Sequence, residues 1–310
     1  MSDLLSNLLT GIEIRGSVFC YGEVREPWCF EGGAAEGSLF HAVVEGEAWL
    51  GVDGAPRRLG PGDVLLLPRG GRHRLGSLGR RRATPLKRAI DHKPGDPFAR
   101  LAVGGDGPPA YLICGTFAVD GMQWHPLLRQ LPDVMIVNAG LGRWLPATLG
   151  ALHNQLEHSQ LGASLIAGRL AEVLFVQIIA AWLESREDTK EFVDPRIGLS
   201  IGLMHRYPGR AWTTPELARA AGMSRSAFFD RFSEMVGETP AAYLKRWRMT
   251  LAARALLSED VTLAVLAERF CYASESSFSR AFRDEHGVNP GAYRAEAPAD
   301  LVPRAKTARA

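Results

Sequence analysis

Four cysteines, Cys20, Cys29, Cys114 and Cys271, are the most reactive side chains in the sequence. They lie far apart and form no CxxC pair, which argues against a zinc ribbon and against a disulfide-built scaffold. In a reducing compartment they are free thiols. A thiol acts as a sensor only where its thiolate is reachable and finds a resolving partner or takes a bulky adduct. A second set of residues is suited to nucleic acid rather than to covalent chemistry. Arg225, Ser226, Phe229 and Asp230 recur along one predicted helix, and Glu275, Ser276, Ser279, Arg280 and Arg283 along another. Such side chains hydrogen-bond base edges and phosphates in the major groove.

These residues are placed by a duplication. Residues 224–243 (SRSAFFDRFSEMVGETPAAY) align without gaps on 274–293 (SESSFSRAFRDEHGVNPGAY) at an offset of 50, with Ser, Phe, Phe, Gly, Pro and Tyr recurring. Each copy follows a short predicted helix, 217–221 or 263–269, and a tight connection, so each is expected to be helix, turn, helix. Thr213 and Glu216 form a capping-box pattern that fixes the first start, and Ser224 and Ser274 are positioned to cap the second helices. Phe228 with Phe232, and Phe278 with Phe282, stand four apart and point into a core, so the polar residues occupy the opposite face. Two such helices on one body can enter successive major-groove segments about 34 Å apart. A connecting helix at 241–257 would set that separation, and its Lys245, Arg246, Arg248 and Arg254 supply positive charge.

From about 195 to 294 the sequence resembles the DNA-binding domain of the AraC/XylS family of bacterial transcription regulators. The likeness rests on WTTPELARAAGMSRSAFFDRF, on LAERFCYASESSFSRAFRDEHGVNPGAYR, and on Gly287, Pro290, Tyr293 and Arg294 in the terminal pattern. It implies base reading by Ser226, Phe229 and Asp230 in the first recognition helix and by Ser276, Ser279 and Arg280 in the second. It also implies promoter DNA and RNA polymerase as partners. Two positions depart from the pattern. Cys271 stands where the family has glycine, which strains the turn if its φ is positive. Asp230 replaces a basic or amide residue, and a carboxylate repels phosphate while accepting from cytosine N4.

Between about 12 and 117, short apolar runs broken by glycine and proline (SVFCYG, SLFHAVVEG, EAWLGVDG, DVLLLPRG, AYLICGTF) predict an antiparallel sandwich or small barrel. Asp53-Gly54 suits a hairpin turn. Residues 76–109 lack periodicity and are expected to form a long loop. The segment 62–73, GDVLLLPRGGRH, matches the pattern G-x5-P-x-G-x2-H of cupins, and the whole half resembles the cupin-type effector domain of one AraC subgroup. The other cupin motif is incomplete: only His41 stands in place, with Glu45 and Glu47 after it. A three-His, one-Glu centre cannot be built, although His41 and His73 could still hold a metal with help from Cys or Glu. Some members of that subgroup sense oxidants or electrophiles, and this chain is similar to the reactive chlorine-sensing relatives at Cys20 and Cys114. The resemblance therefore implies redox sensing by those two thiols. Inert buried cysteines with a small organic effector in the barrel remain the alternative.

At 310 residues, 46% hydrophobic and 23% charged, with a formal charge of +2, the chain has the composition of ordinary globular domains. No secretory signal pattern opens it, and the most apolar window, 173–183, is shorter than a bilayer requires. A cytoplasmic protein without a membrane partner is expected. From 122 to about 187 the spacing of Leu165, Leu170, Val173, Leu174, Ile178 and Leu183 predicts helix, broad enough to pack on the preceding domain and on a second copy. The fold expected is α+β: a cupin-like β-barrel at 1–120, a helical linker and dimerisation segment at 121–190, and an all-α double helix-turn-helix domain at 193–297. The helix-turn-helix units are placed at 213–236 and 262–286, ahead of a disordered tail at 298–310. The function expected is a DNA-binding regulator, an activator and homodimer without a cofactor or catalysis, whose cupin-like domain receives a small molecule or an oxidant. The rivals are a metal-dependent cupin enzyme fused to a DNA-binding domain, and a barrel that serves only for oligomerisation.

Overall fold

The short apolar runs of the N-terminal half are realised as the strands of two sheets. The computed structural model describes the chain except residues 1–3, 34–36, 52–55, 79–81, 94, 143, 159–160, 187–193 and 297–310. The expected turn at Asp53-Gly54, residues 187–193 at the expected domain boundary and the C-terminal tail lie outside the described residues. Two compact units emerge, one of residues 12–123 and 128–189, the other of 1–11, 124–127 and 190–310.

In the first unit, a seven-stranded sheet runs β12-β6-β3-β11-β1-β10-β9 and a five-stranded sheet runs β5-β4-β7-β2-β8. The larger comprises β1 (Ile14–Arg25), β3 (Ser38–Glu45), β6 (Val64–Leu67), β9 (Ile90–Asp91), β10 (Ala99–Leu101), β11 (Pro109–Val119) and β12 (Met135–Val137). The smaller comprises β2 (Cys29–Gly32), β4 (Ala48–Gly51), β5 (Arg57–Leu59), β7 (His73–Gly76) and β8 (Thr84–Pro85). Inward residues of both, among them Val24, Val43, Leu65 and Leu112 from one and Phe30, Leu50 and Leu75 from the other, make one core. Side chains separated by two residues share a face of a strand, so Cys20, His41 and Cys114 take inward positions by the same rule.

Two helices, α3 (Leu145–Glu157) and α4 (Ala163–Glu184), pack against this unit's strands. α4 crosses β1 closely. A Cβ on Gly16 would stand 2.7 Å from the Ala171 methyl and 2.9 Å from the Gly168 carbonyl oxygen. Ala171, Leu174, Phe175, Ile178 and Ile179 are its buried face. With 22 residues it is the one described helix long and apolar enough to cross a membrane, so the window of 173–183 understates its length.

The structure departs from expectation in two stretches. Residues 76–109 are not a structureless loop: β8, a one-turn α2 (Leu86–Ala89), β9 and β10 lie within it, and β8 and β10 add in parallel to β2 and β1. Elements of two to four residues are too short to register as a period. Helix does not begin at 122 either. Met135–Val137 pairs antiparallel with β6, and α3 starts only at Leu145.

The second unit is all-helical: α1 (Leu4–Leu9), α5 (Pro195–Arg206), α6 (Thr214–Ala220), α7 (Arg225–Val236), α8 (Pro240–Ser258), α9 (Leu263–Arg269), α10 (Glu275–His286) and α11 (Pro290–Glu296). Assignment of α1 and residues 124–127 to this unit was not expected. Two glycines of α5 make room for α1: a Cβ on Gly198 would lie 2.6 Å from Leu4 Cδ1, and one on Gly202 3.1 Å from the Asn7 carbonyl oxygen. His205 closes the cluster, stacked on Trp247 with ring centroids 4.0 Å apart and hydrogen-bonded to the Thr10 carbonyl at 2.8 Å and the Tyr243 hydroxyl at 2.8 Å.

Candidate functional site

Both recognition helices start on the serines that the repeat singles out. Ser224 accepts from the Ala227 N–H at 3.3 Å. Ser274 accepts from the Ser277 N–H at 3.2 Å while Ser277 Oγ accepts from the Ser274 N–H at 3.2 Å, a reciprocal box. The Thr213–Glu216 box forms at the head of α6 as the pattern requires. Phe228, Phe232, Phe278 and Phe282 are fully buried, and they fix the rotation of α7 and α10. That rotation leaves Arg225, Ser226, Phe229 and Asp230 exposed on α7, with Ser276, Arg280 and Arg283 exposed and Ser279 half-buried on α10.

The connecting helix behaves differently. Lys245 lies 3.6 Å from Asp284, and Arg246 lies 3.2 Å from Glu238 and 3.4 Å from Glu285. Arg248 donates to the Pro208 and Arg210 carbonyls, at 2.7 and 2.9 Å. Arg246 and Arg248 thus tie α8 to neighbouring segments, while the exposed Lys245 pair is weak enough to exchange for a phosphate. Cys271 takes φ 65°, the same left-handed value as Gly222 in the first turn, so the repeat demands one turn geometry from a residue with a Cβ and one without.

A second cluster sits between the two sheets of the cupin-like unit. Cys20 of β1 pairs in register with Cys114 of β11, and Cys114 with His41 of β3. His41 Nδ1 is 2.9 Å from Cys114 Sγ, and His41 Nε2 is 2.8 Å from His73 Nε2 on the opposite sheet. His73 Nδ1 in turn lies 2.9 Å from the Gly71 carbonyl oxygen. Gly32 makes this possible, because a Cβ there would meet the His73 ring at 2.7 Å.

Cys20 and Cys114 are 0% exposed and His41 and His73 at most 2%, so no water-sized space touches either sulfur. Burial first and the adjacent Cys20 second push the Cys114 thiol well above its ordinary range. Burial first and His73 second hold His41 neutral well below the usual imidazole range. His73 is lowered by burial, with the Gly71 bond and Glu31 opposing. Among the described residues, no group of three or more His, Cys, Asp or Glu is arranged around a metal position, and each ring nitrogen of His41 and His73 already has a hydrogen-bond partner. Strand alternation alone would have turned Cys20, His41 and Cys114 inward. Their contact required the pairing of distant strands and the glycine at 32.

Comparison with known proteins agrees with both halves. The cupin family model matches residues 3–184, and the helix-turn-helix domain model matches residues 217–296. A putative AraC-like transcription regulator of Streptomyces antibioticus is 33% identical over 95% of this chain and 97% of its own length. The RCS-specific HTH-type transcriptional activator RclR of Escherichia coli is 29% identical over 94% of this chain and 97% of its own. The HTH-type transcriptional regulator AlkR of Acinetobacter baylyi is 26% identical over 94% and 99%. With a cupin unit that holds a thiol–imidazole cluster, two capped recognition helices, and whole-length similarity to these regulators, the chain belongs to the AraC-like transcription regulators with an N-terminal cupin domain.

Proposed function

We propose that this regulator activates transcription in response to a thiol oxidant, with Cys20 and Cys114 as the sensing pair. The observation that carries the reading is their direct register across β1 and β11. Opposed residues of an antiparallel pair bring their Cα atoms to about 4.5–5.5 Å, inside the range a disulfide spans. With no water-sized space beside either sulfur, no cavity there holds an organic ligand, and an oxidant reaches the pair only as the strands open locally. The similarity to an RCS-specific activator supports both the oxidant and the sign of regulation.

On this reading α7 and α10 enter promoter DNA through Arg225, Ser226, Phe229, Asp230, Ser276, Ser279, Arg280 and Arg283, Lys245 adds a phosphate contact, and RNA polymerase is the partner at the promoter. The protein works in the cytoplasm as a homodimer. Leu165, Ile166, Val173 and Val176 are exposed on α4 opposite its buried face, and this apolar surface fits a second copy.

Peptide mapping after treatment with hypochlorous acid or hydrogen peroxide tests the sensing pair, alongside a promoter reporter in cells. A Cys20–Cys114 disulfide is expected, together with a reporter response that is lost in Cys20→Ser and Cys114→Ser and kept in Cys29→Ser. A response unchanged in both of the first two variants would remove oxidant sensing by this pair.

A further inference from the structure

We infer that His41 and His73 form a proton relay that takes the Cys114 thiol proton as its sulfur is oxidised. The inference rests on the reading of Cys20 and Cys114 as the oxidant-sensing pair, and it assigns roles to two side chains that this reading leaves unused.

The hydrogen bonds permit only one arrangement of protons while both rings are neutral. The Gly71 carbonyl can only accept, so His73 Nδ1 carries the hydrogen directed at it. His73 Nε2 is then bare and accepts from His41 Nε2–H. That leaves His41 Nδ1 bare, and Cys114 S–H donates to it. Every hydrogen in the chain therefore points the same way, from sulfur toward Gly71. One concerted shift moves the thiol proton to His41 Nδ1 and the His41 Nε2 proton to His73 Nε2, which leaves an imidazolium at His73.

The charged groups around the path suit that end point. Glu31 of β2, whose charge favours the protonated form of His73, is itself bridged by Arg72 at 3.0 Å and Arg74 at 2.9 Å. At the inner end the titratable neighbour from β1 is Cys20. On β2, Cys29 lies beside Arg74 and Glu31. Burial keeps the resting thiol and both rings neutral, so the base is present but charge separates only when an electrophile engages the sulfur. His41 touches the reacting atom; His73 is a positioning residue that acts through it.

With hydrogen peroxide as oxidant the step balances. The Cys114 sulfur donates an electron pair to one peroxide oxygen, S–O forms as O–O breaks, and the departing hydroxide leaves as water on the proton that the relay returns through His41 Nδ1, so both rings end neutral. The Cys20 thiol then attacks the sulfenic sulfur, S–S forms as S–O breaks, and the second water leaves. The two sulfurs lose two electrons and peroxide becomes two waters.

The test is the rate of peroxide oxidation of Cys20 and Cys114 in the full-length protein between pH 6.5 and 8.5, read by quenched mass spectrometry. A relayed thiol reacts at a rate that changes less than about threefold over this range, whereas an unassisted buried thiol gains roughly tenfold per pH unit as its thiolate fraction grows. His41→Gln is expected to restore the tenfold slope. His73→Gln is expected to slow oxidation at least about tenfold with the flat profile kept, because His41 remains as base without an outlet. Nitrogen-15 spectra of the unsubstituted protein give a readout that does not depend on either variant folding: the relay requires His73 protonated on Nδ1 and His41 on Nε2. A wild-type slope near tenfold per unit, His41 protonated on Nδ1, or a stoichiometric metal on the two imidazoles would each overturn the relay while leaving thiol sensing intact. Failure of both cysteines to oxidise at all would instead remove the sensing pair, and the relay with it.

Discussion

A cysteine held at φ 65° in the turn of the second helix-turn-helix unit carries a strain its glycine counterpart at 222 avoids. The left-handed region crowds a Cβ against the following carbonyl. Because Cys271 is exposed, its replacement removes no core contact, and Cys271→Gly is expected to stabilise the domain by about 1 kcal/mol. Urea unfolding of the two proteins measures it; destabilisation would show that the thiol side chain holds the turn. Two basic residues of the helical unit, Arg280 on a recognition helix and Lys245 on the connecting helix α8, separate by what they touch. Arg280 is exposed, and on the proposed reading it contacts a base edge, so Arg280→Ala is expected to weaken specific binding by about 1–3 kcal/mol and relax one operator position. Lys245 already has Asp284 at 3.6 Å. Lys245→Ala should leave sequence preference unchanged and reduce the salt slope by at most about one. Titration of each variant against operator and scrambled DNA at several salt concentrations distinguishes the two.

At the level of elements, what the chain spells out locally was legible and what depends on distant pairing was not. The serine caps and the Thr213–Glu216 box were readable because each signal lies within a few residues of sequence, and the duplicated helices because a 20-residue segment recurs without gaps. The closing C-cap glycines take a left-handed φ, 81° at Gly237 and 78° at Gly287. The strands of the cupin unit were legible as strands, and the pattern ending in His73 as its signature. The parallel additions of β8 and β10, each only two or three residues long, carried no period to detect. The place of α1 depends on Gly198 and Gly202, which look unremarkable until a helix lies on them. The thiol–imidazole cluster was visible only as four separate residues. Gly16 offers a test of the tight β1–α4 crossing. Gly16→Val would drive its side chain into Ala171 and the backbone of 168–172, and a cost of about 1–3 kcal/mol in unfolding free energy is expected. An unchanged midpoint would mean that the helix can move away freely.

For the whole molecule, buried imidazoles set the response to acid. Burial is the main cause that lowers His205 to about 3 and His125 to about 4, both in the helical unit. The folded pKa of each lies below the unfolded value, so the unfolded chain binds more protons between the two. The contribution is complete above about pH 6.5 and is lost as pH falls toward the folded pKa, about 2 kcal/mol for each histidine by pH 5. Unfolding followed at pH 7 and pH 5 should show that loss in the helical unit, and equal stability at the two values would contradict the burial of both rings. The regulatory claim is of a different kind, since a signal in the cupin unit alters promoter affinity only if it favours one state of the protein over another. The most direct measurement is the affinity of the purified protein for its own upstream DNA, at fixed salt, reduced and then oxidised, beside Cys114→Ser treated identically. The account predicts a reversible change of about five- to 150-fold on oxidation, absent in the variant. Equal affinity of the unsubstituted protein in both states would contradict it.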